Sequence, residues 1–246
     1  MKIKIIIIIV VILIFVARIY KSKIKGYIGE KLVSKKLKKL NKRKYKVINN
    51  LLLKTAKGST QIDHIVVSKY GVFVIETKNY KGIITGNEYD DNWNQILINK
   101  SKTLRNPIKQ NNGHIKALKD LIPELRYKNI KSIILFTKRA KLKVNCESNV
   151  MYFNKVNKII KKYRNEEFTK EEVEKIYNKL NELNVNSFKE RKAHIKNVKR
   201  NIKHAEKSIR KNKCPRCGGK LKKKREKHGK VKRCKNYPQC TFKINL

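Results

Sequence analysis

The chain has 246 residues, with 64 lysines and arginines against 18 aspartates and glutamates, a formal net charge of +46. This excess is far beyond what solubility requires, and it favours a polyanionic partner, either nucleic acid or an anionic lipid surface. The sequence contains no internal repeat and no Gly-rich phosphate loop. Nucleotide hydrolysis is therefore unsupported.

The first predicted element is an uninterrupted apolar run from Ile5 to Ala17, bounded by Lys4 and Arg18. A membrane-spanning helix needs roughly 17 to 20 apolar residues, a length the run reaches if its flanking charged side chains extend outward to the headgroups. A cleaved signal peptide and a buried helix are the alternatives, but no small-x-small cleavage site follows the run. The sequence therefore predicts an uncleaved transmembrane anchor at residues 1–20.

The basic residues flanking this run predict its orientation. They are fewer before it than after it: Lys2 and Lys4 precede it, and Arg18, Lys21, Lys23 and Lys25 follow it. Positive charge is retained on the cytoplasmic side. We expect a single-pass protein of the cell membrane whose C-terminal body is cytoplasmic.

The next elements predict one α/β core. Apolar periodicity and turn residues indicate, in chain order, a helix at 29–40, strands near 45–53, 61–67, 72–78 and 82–86, a helix capped by Asn106 and running to Leu121, and strands at 131–136 and 150–153. Thr169 to Glu172 forms a capping box that opens a helix to Leu183, whose apolar stripe is Val173, Ile176, Tyr177 and Leu180.

Three charged side chains lie in the hairpin predicted at 61–78. Asp63 is on its first strand, Glu76 and Lys78 are on its second, and Lys69 to Gly71 form the turn. A loop of two or four residues pairs Asp63 with Glu76 or with Lys78, and the period of two then places all three on one face. A salt-bridged, solvated hairpin is one explanation. A divalent metal site for a phosphodiester is the other, because Mg²⁺ prefers carboxylate oxygens and a lysine can steady transition-state charge.

Further motifs surround this hairpin in a fixed order: Gly29-Glu30, Gln61 to Ile65, Gly71 to Tyr80, Gly82, Gly86, Trp93 and Asn106-Pro107-x-x-Gln110. This order resembles the nuclease-related domain, NERD, a relative of Mrr-type restriction endonucleases in the PD-(D/E)xK superfamily. The resemblance runs from Lys25 to Gln110 and more loosely to Phe153. The proline of the superfamily's name is replaced by Ile62.

This resemblance implies a nuclease core that uses Mg²⁺ or Mn²⁺. Asp63 and Glu76 would be metal ligands, Lys78 the catalytic lysine, and Glu30 an accessory acid from the first helix. Strand alternation sends His64 to the opposite face, so we expect a packed or hydrogen-bonded histidine there. Gln95 and Gln110 could reach the site, but we expect them to be caps or surface amides.

Four cysteines near the C-terminus predict a zinc site. Cys214 and Cys217 form a C-x-x-C pair, and Cys234 and Cys240 follow at a strand-turn-strand distance. Four thiolates suit tetrahedral Zn²⁺, whereas structural disulfides are the alternative in an oxidising compartment. The module is too small to fold on a core alone, so the metal would supply its folding energy. With Tyr237-Pro238-x-Cys240 and Phe242, the pattern resembles the ribbons of bacterial type I topoisomerases, where the ribbon binds single-stranded DNA.

Positive charge is nearly continuous between Lys189 and Lys235. Such a tract binds nucleic acid through counterion release. We therefore expect four parts: an anchor at 1–20, a restriction-endonuclease-like mixed sheet flanked by helices at 25–156, a helical basic linker at 157–211, and a ribbon at 212–246. The expected function is a membrane-anchored, metal-dependent DNA nuclease. A catalytically inactive DNA-binding tether is the alternative.

Overall fold

A computed structural model of the chain describes residues 24–56, 58–185, 187–226 and 229–245. The predicted anchor at 1–20 lies outside the described residues. In the part of the chain that is described, no helix is long and apolar enough to span a membrane.

The described residues form twelve strands and five helices. The strands are β1 (Tyr45–Thr55), β2 (Gly58–Ser68), β3 (Gly71–Lys78), β4 (Gly82–Asn87), β5 (Asn92–Leu97), β6 (Lys100–Arg105), β7 (Lys131–Phe136), β8 (Ala140–Asn145), β9 (Asn149–Tyr152), β10 (Leu221–Glu226), β11 (Gly229–Cys234) and β12 (Lys243–Asn245). The helices are α1 (residues 24–37), α2 (Pro107–Leu121), α3 (Val156–Ile160), α4 (Lys170–Glu182) and α5 (Phe188–Arg210). Short 3-10 turns lie at Pro123–Leu125 and Phe153–Lys155.

The main sheet is mixed, with strand order β1-β2-β3-β7-β9. The first three strands are antiparallel, and β7 and β9 continue the sheet in parallel. Helices cover both faces, α2 and α4 on one side and α1 and α3 on the other. The predicted mixed α/β architecture with flanking helices is therefore confirmed.

Local sequence explains the helix boundaries. Asn106 caps α2 by accepting the Ile108 N–H at 2.9 Å, and Pro107 occupies the first turn. Thr169 and Glu172 form the predicted capping box of α4. The apolar stripe of α4 enters the core beneath β1 and β2, where each fully buried aliphatic side chain contributes about 1.5–3 kcal/mol. The position of these two helices is thus fixed by capping and by burial.

A second sheet of order β6-β5-β4-β8 packs beside the first. Only β4 was expected from the sequence. Trp93 on β5 is fully buried, donates its indole N–H to Asn87 O at 2.8 Å and stacks on Phe136. The strands β5 and β6 escaped prediction because β5 has two buried residues and β6 has none, which leaves little apolar signal. The strand β8 does alternate apolar and polar residues, so its sequence carried a signal that was missed.

Candidate active site and metal centre

The β2–β3 hairpin has a two-residue turn, Lys69-Tyr70, with Ser68 paired to Gly71 and His64 paired to Ile75. One further step in this register places Asp63 opposite Glu76. Because side chains alternate, Lys78 then lies on the same face, the one that α2 covers. Of the two loop lengths the sequence allowed, the shorter one is found.

Glu76 is the centre of a polar cluster at the end of β3. Its Oε1 accepts hydrogen bonds from Lys78 Nζ at 2.6 Å and from Gln110 Nε2 at 2.8 Å, while Gln110 Oε1 accepts from Lys78 Nζ at 3.0 Å. His114 Nε2 lies 3.3 Å from Glu76 Oε2, and its Nδ1 shares a 2.6 Å hydrogen bond with Thr60 Oγ1. Glu76 is 3% exposed, so this network supplies most of its solvation.

Two glutamines had been expected to be caps or surface amides. For Gln110 this was wrong, because its amide bridges Glu76 and Lys78. Gln95 is not a surface amide either, because it is buried. Its Nε2 donates to the backbone oxygen of Lys81 at 2.8 Å, so it has a structural role away from Glu76. His114 was not anticipated at all, although its position one helical turn after Gln110 on α2 is a signal that could have found it.

Asp63 and Glu30 approach this cluster from two other elements. Asp63 Oδ2 accepts the Thr77 N–H at 2.7 Å. Glu30 lies on α1, which comes close to the end of β3: a Cβ on Gly29 would sit 2.9 Å from Asn79 Cβ, and Asn79 Nδ2 donates to Lys25 O at 2.6 Å. Glu30, Asp63, Glu76 and Lys78 are thus brought to one end of the main sheet.

The carboxylates repel one another, and this shapes their titration. Burial, then the charges of Glu76 and Glu30, raise the pKa of Asp63 well above its usual range. Burial and Glu76 also raise the pKa of Glu30, while Arg191 of α5 and Lys78 oppose the shift. Burial works against ionisation of Glu76 as well, but Lys78 and His114 prevail and lower its pKa.

The pKa values of Lys78 and His64 are shifted in opposite directions. Burial disfavours the Lys78 ammonium, yet Glu76 and other nearby groups outweigh it and raise the pKa of Lys78. His64 is 1% exposed, and burial lowers its pKa to about 4 although Glu76 opposes the shift. Its Nδ1 hydrogen-bonds Asn49 Oδ1 at 2.7 Å. The prediction of a packed, hydrogen-bonded His64 is confirmed, and near neutral pH this histidine is uncharged.

The helix α5 also reaches the site, which sequence reasoning had missed. His194 Nδ1 hydrogen-bonds Ser59 Oγ at 2.8 Å, and Glu190 pairs with Lys54 at 2.9 Å. Arg191 is close enough to Glu30 to lower its pKa. The sequence showed these residues only as members of a basic tract.

The four predicted cysteines converge. The Sγ atoms of Cys214 and Cys240 are 3.7 Å apart, those of Cys217 and Cys234 are 3.4 Å apart, and all four lie within 4.8 Å of one another. Tetrahedral Zn–S bonds of about 2.3 Å require S···S separations of roughly 3.8 Å, so these thiols fit a zinc ion. They close a three-stranded unit of β10, β11 and β12 with a small core that includes Leu221 and Phe242.

The carboxylates are less closely grouped. Among the described residues, only the four cysteines form a set of three or more acidic, histidine or cysteine ligands within 4.8 Å. Carboxylate oxygens nevertheless have the donor chemistry for Mg²⁺ or Mn²⁺, and Glu76 is close enough to Asp63 to raise the pKa of Asp63. Asp63 and Glu76 are the residues that could hold such an ion, and Lys78 Nζ occupies Glu76 Oε1.

Comparison with known proteins identifies the domain that carries these residues. The nuclease-related domain family, NERD, matches residues 25–137. An uncharacterized protein of Bacillus anthracis, pXO1-01/BXA0003/GBAA_pXO1_0003, is 39% identical over 176 residues, which cover 70% of this chain and 82% of that protein. No solved structure matches the chain. The chain therefore belongs to the same family as the Bacillus anthracis protein and carries a nuclease-related domain at residues 25–137.

Proposed function

We propose that this chain is a divalent-metal-dependent nuclease that hydrolyses phosphodiester bonds in DNA. The observation that carries the proposal is the meeting of Asp63, Glu76 and Lys78 at one end of the main sheet, inside the nuclease-related domain. The mixed sheet with helices on both faces supports a restriction-endonuclease-like core. Carboxylates that are partly or fully buried and repel one another cost folding stability, and a nuclease has a use for them.

Each residue has a role in the proposed reaction. Asp63 and Glu76 would hold Mg²⁺ or Mn²⁺, which supplies charge neutralisation and a more acidic water when bound. Lys78 would donate hydrogen bonds to the attacking water or to a phosphate oxygen. Glu30, whose pKa is raised, would accept or return a proton near the attacking water. Gln110 and His114 would orient Glu76.

The ribbon and α5 would hold the substrate. Exposed lysines line β10, and α5 is strongly basic, so both suit a phosphate backbone. Tyr237 is 53% exposed with the Arg233 guanidinium 3.4 Å above its ring, a pair that offers a stacking surface for a base. We propose that the ribbon is of the topoisomerase type, binds Zn²⁺ through its four cysteines and contacts single-stranded DNA.

The proposal divides the chain into an anchor at 1–20, a nuclease-like unit at 25–156, a helical basic linker at 157–211 and the ribbon at 212–246. Within 157–211, α4 packs into the core of the main sheet, so α5 is the part that acts as the basic linker. The anchor would hold the body at the cytoplasmic face of the cell membrane. Fractionation of cells expressing the full chain tests this part: the protein should stay with membranes after a high-salt wash. Release by salt alone would contradict the anchor and leave only electrostatic attachment.

A second candidate function is a catalytically inactive DNA-binding tether. Two observations favour it: Lys78 donates a hydrogen bond to Glu76, and the described carboxylates do not form a ready-made metal cluster. In a tether, Glu76 and Lys78 would be a buried ion pair that only stabilises the fold. The two candidate functions differ in whether a divalent metal binds at Glu76 and supports cleavage of DNA.

The deciding experiment uses the purified full chain with supercoiled and single-stranded DNA in Mg²⁺, Mn²⁺ or no added divalent ion. We expect metal-dependent cutting, and Asp63→Ala or Lys78→Ala should lower the rate by about 10²–10³-fold while DNA affinity is retained. Asp120→Ala, which removes an exposed carboxylate from α2, is the matched control and should cut like wild type. Tight, salt-sensitive binding without cutting on any substrate would establish the tether instead.

A further inference from the structure

The helix α5 and the ribbon are joined as one unit, residues 188–226 and 229–245, which we call the strap. Ile209 of α5 packs into the small core of the ribbon, and Lys232 Nζ donates to Ile209 O at 3.4 Å. Lys213 N and Leu221 N donate to Ser208 O and Asn212 O at 2.8 and 2.7 Å. These contacts make the ribbon a continuation of α5.

One end of the strap is attached beside the candidate active site. His194 bonds Ser59, the neighbour of Thr60, and Thr60 bonds His114 of the Glu76 cluster. The pair Glu190–Lys54 adds a second attachment at 2.9 Å. The first turns of α5 therefore lie beside the first half of β2, which also carries Asp63.

The other end is attached to the nuclease-related domain through Asp91, which directly precedes β5. Asp91 Oδ1 accepts from Arg216 Nη2 at 2.9 Å and from Lys109 Nζ at 2.6 Å, and the Asp91 side chain is only 5% exposed. Asn92 Nδ2 also donates to Lys243 O at 2.9 Å. We call the Asp91–Arg216 pair the latch. Lys109 is the neighbour of Gln110, so the latch also ends next to the site.

Between its attachments, α5 is long and uncovered. Its 23 residues span about 35 Å at the usual rise per residue. No residue of Phe188–Arg210 is buried, and Ile195, Val198 and Ile202 are 41%, 42% and 54% exposed. The middle of the helix is thus held mainly by its two ends.

We infer that the strap crosses the entrance to the carboxylate site and that the latch keeps it closed. A linear nucleic-acid strand then reaches Glu76 by passing its free end beneath α5. A circular strand has no free end, so it enters only when the latch opens. The selection of free ends rests on the proposed nuclease function. The latch itself does not, because it is a contact between two parts of the chain.

The test uses the full chain in three forms: wild type, Asp91→Ala, and Asp120→Ala as a matched loss of one carboxylate. Linear and covalently closed circular single-stranded DNA of one sequence are incubated with each form in Mg²⁺. We expect wild type and Asp120→Ala to cut the linear strand at least about tenfold faster than the circle, since an obligatory opening slows association. Asp91→Ala should cut both strands at similar rates.

Small-angle scattering supplies a readout that does not need catalysis. Asp91→Ala should have a larger radius of gyration than wild type and Asp120→Ala. Arg216→Ala opens the latch from the ribbon side with the domain untouched, and it serves if Asp91→Ala does not fold. Equal cutting of circles and linear strands by wild type would overturn the inference. If no form cuts DNA, the nuclease proposal fails, and an unchanged radius in both latch variants would overturn the latch.

Discussion

The two candidate metal centres of this protein are built in different ways. The cysteine cluster comes from two short segments, Cys214–Cys217 and Cys234–Cys240, with its sulfur atoms already within 4.8 Å of one another. The carboxylate site draws on α1, β2, β3 and α2, and Lys78 occupies one oxygen of Glu76. A local motif can prearrange its ligands, whereas a dispersed site must balance like charges brought together by the fold.

The strongest test of this contrast removes one of the four cysteines that could hold a metal in the ribbon. Structural zinc sites supply about 10–16 kcal/mol, far more than a core of this size, so Cys234→Ser should lose the zinc and unfold residues 212–246. The nuclease-related domain should keep its main melting transition. Metal analysis and hydrogen exchange measure the two effects. If Cys234→Ser still bound one zinc per chain and its ribbon stayed protected from hydrogen exchange, the ribbon would not depend on its four-cysteine site.

The second test removes a charge from the dispersed site. The pKa of Asp63 is raised in the folded state, so the folded protein is stabilised relative to the unfolded chain when Asp63 is protonated. This stability is fully present below the unfolded-state pKa and is lost as the pH rises through the folded-state pKa. Asp63→Asn should therefore raise Tm at pH 7, by roughly 2–4 °C for each kcal/mol gained, and the gain should vanish at acidic pH.

The same variant tests for the metal. Mg²⁺ that binds only the folded state should raise the Tm of wild type and not that of Asp63→Asn. Thermal melts at several pH values with and without Mg²⁺ measure both effects. If Asp63→Asn is less stable than wild type at pH 7, the attraction of Lys78 and of the Thr77 N–H for the Asp63 charge outweighs the repulsion by the other carboxylates.

The third test concerns the support of Glu76. His114→Ala removes the imidazole 3.3 Å from Glu76 Oε2, and loss of such a support typically costs 10–100-fold in metal affinity or activity. Because His114 lowers the pKa of Glu76, the acid side of the pH–rate profile should move to higher pH in this variant. Asn112→Ala, an exposed residue of the same helix α2, is the control. An unchanged profile would show that His114 serves only the fold.

The smallest expected effect comes from two glycines of α1. A Cβ on Gly29 would meet Asn79 at 2.9 Å, whereas a Cβ on Gly26 would meet nothing within 4 Å. Gly26→Ala should stabilise the helix by about 1 kcal/mol through propensity. Gly29→Ala should forgo that gain and lower activity, because α1 must move and carries Glu30 with it. Thermal melts and initial cleavage rates of the two variants measure these effects. If the two variants cut DNA at the same rate, the position of Glu30 does not affect the reaction.

Sequence alone determined the features that depend on local order. The capped starts of α2 and α4, the β2–β3 hairpin, the shared face of Asp63, Glu76 and Lys78, and the cysteine ligand set all follow from spacing and alternation. These features need few distant contacts, so a short stretch of chain specifies them.

Tertiary structure decided the rest. Gln110 and His114 join Glu76 because α2 crosses the main sheet, and the strap meets Ser59 and Asp91 because α5 connects distant parts of the chain. The second sheet packs against the main sheet through a cluster in which Ile84 and Trp93 meet Phe136. Such contacts join residues far apart in sequence, and no local pattern encodes which distant partner a polar side chain will meet.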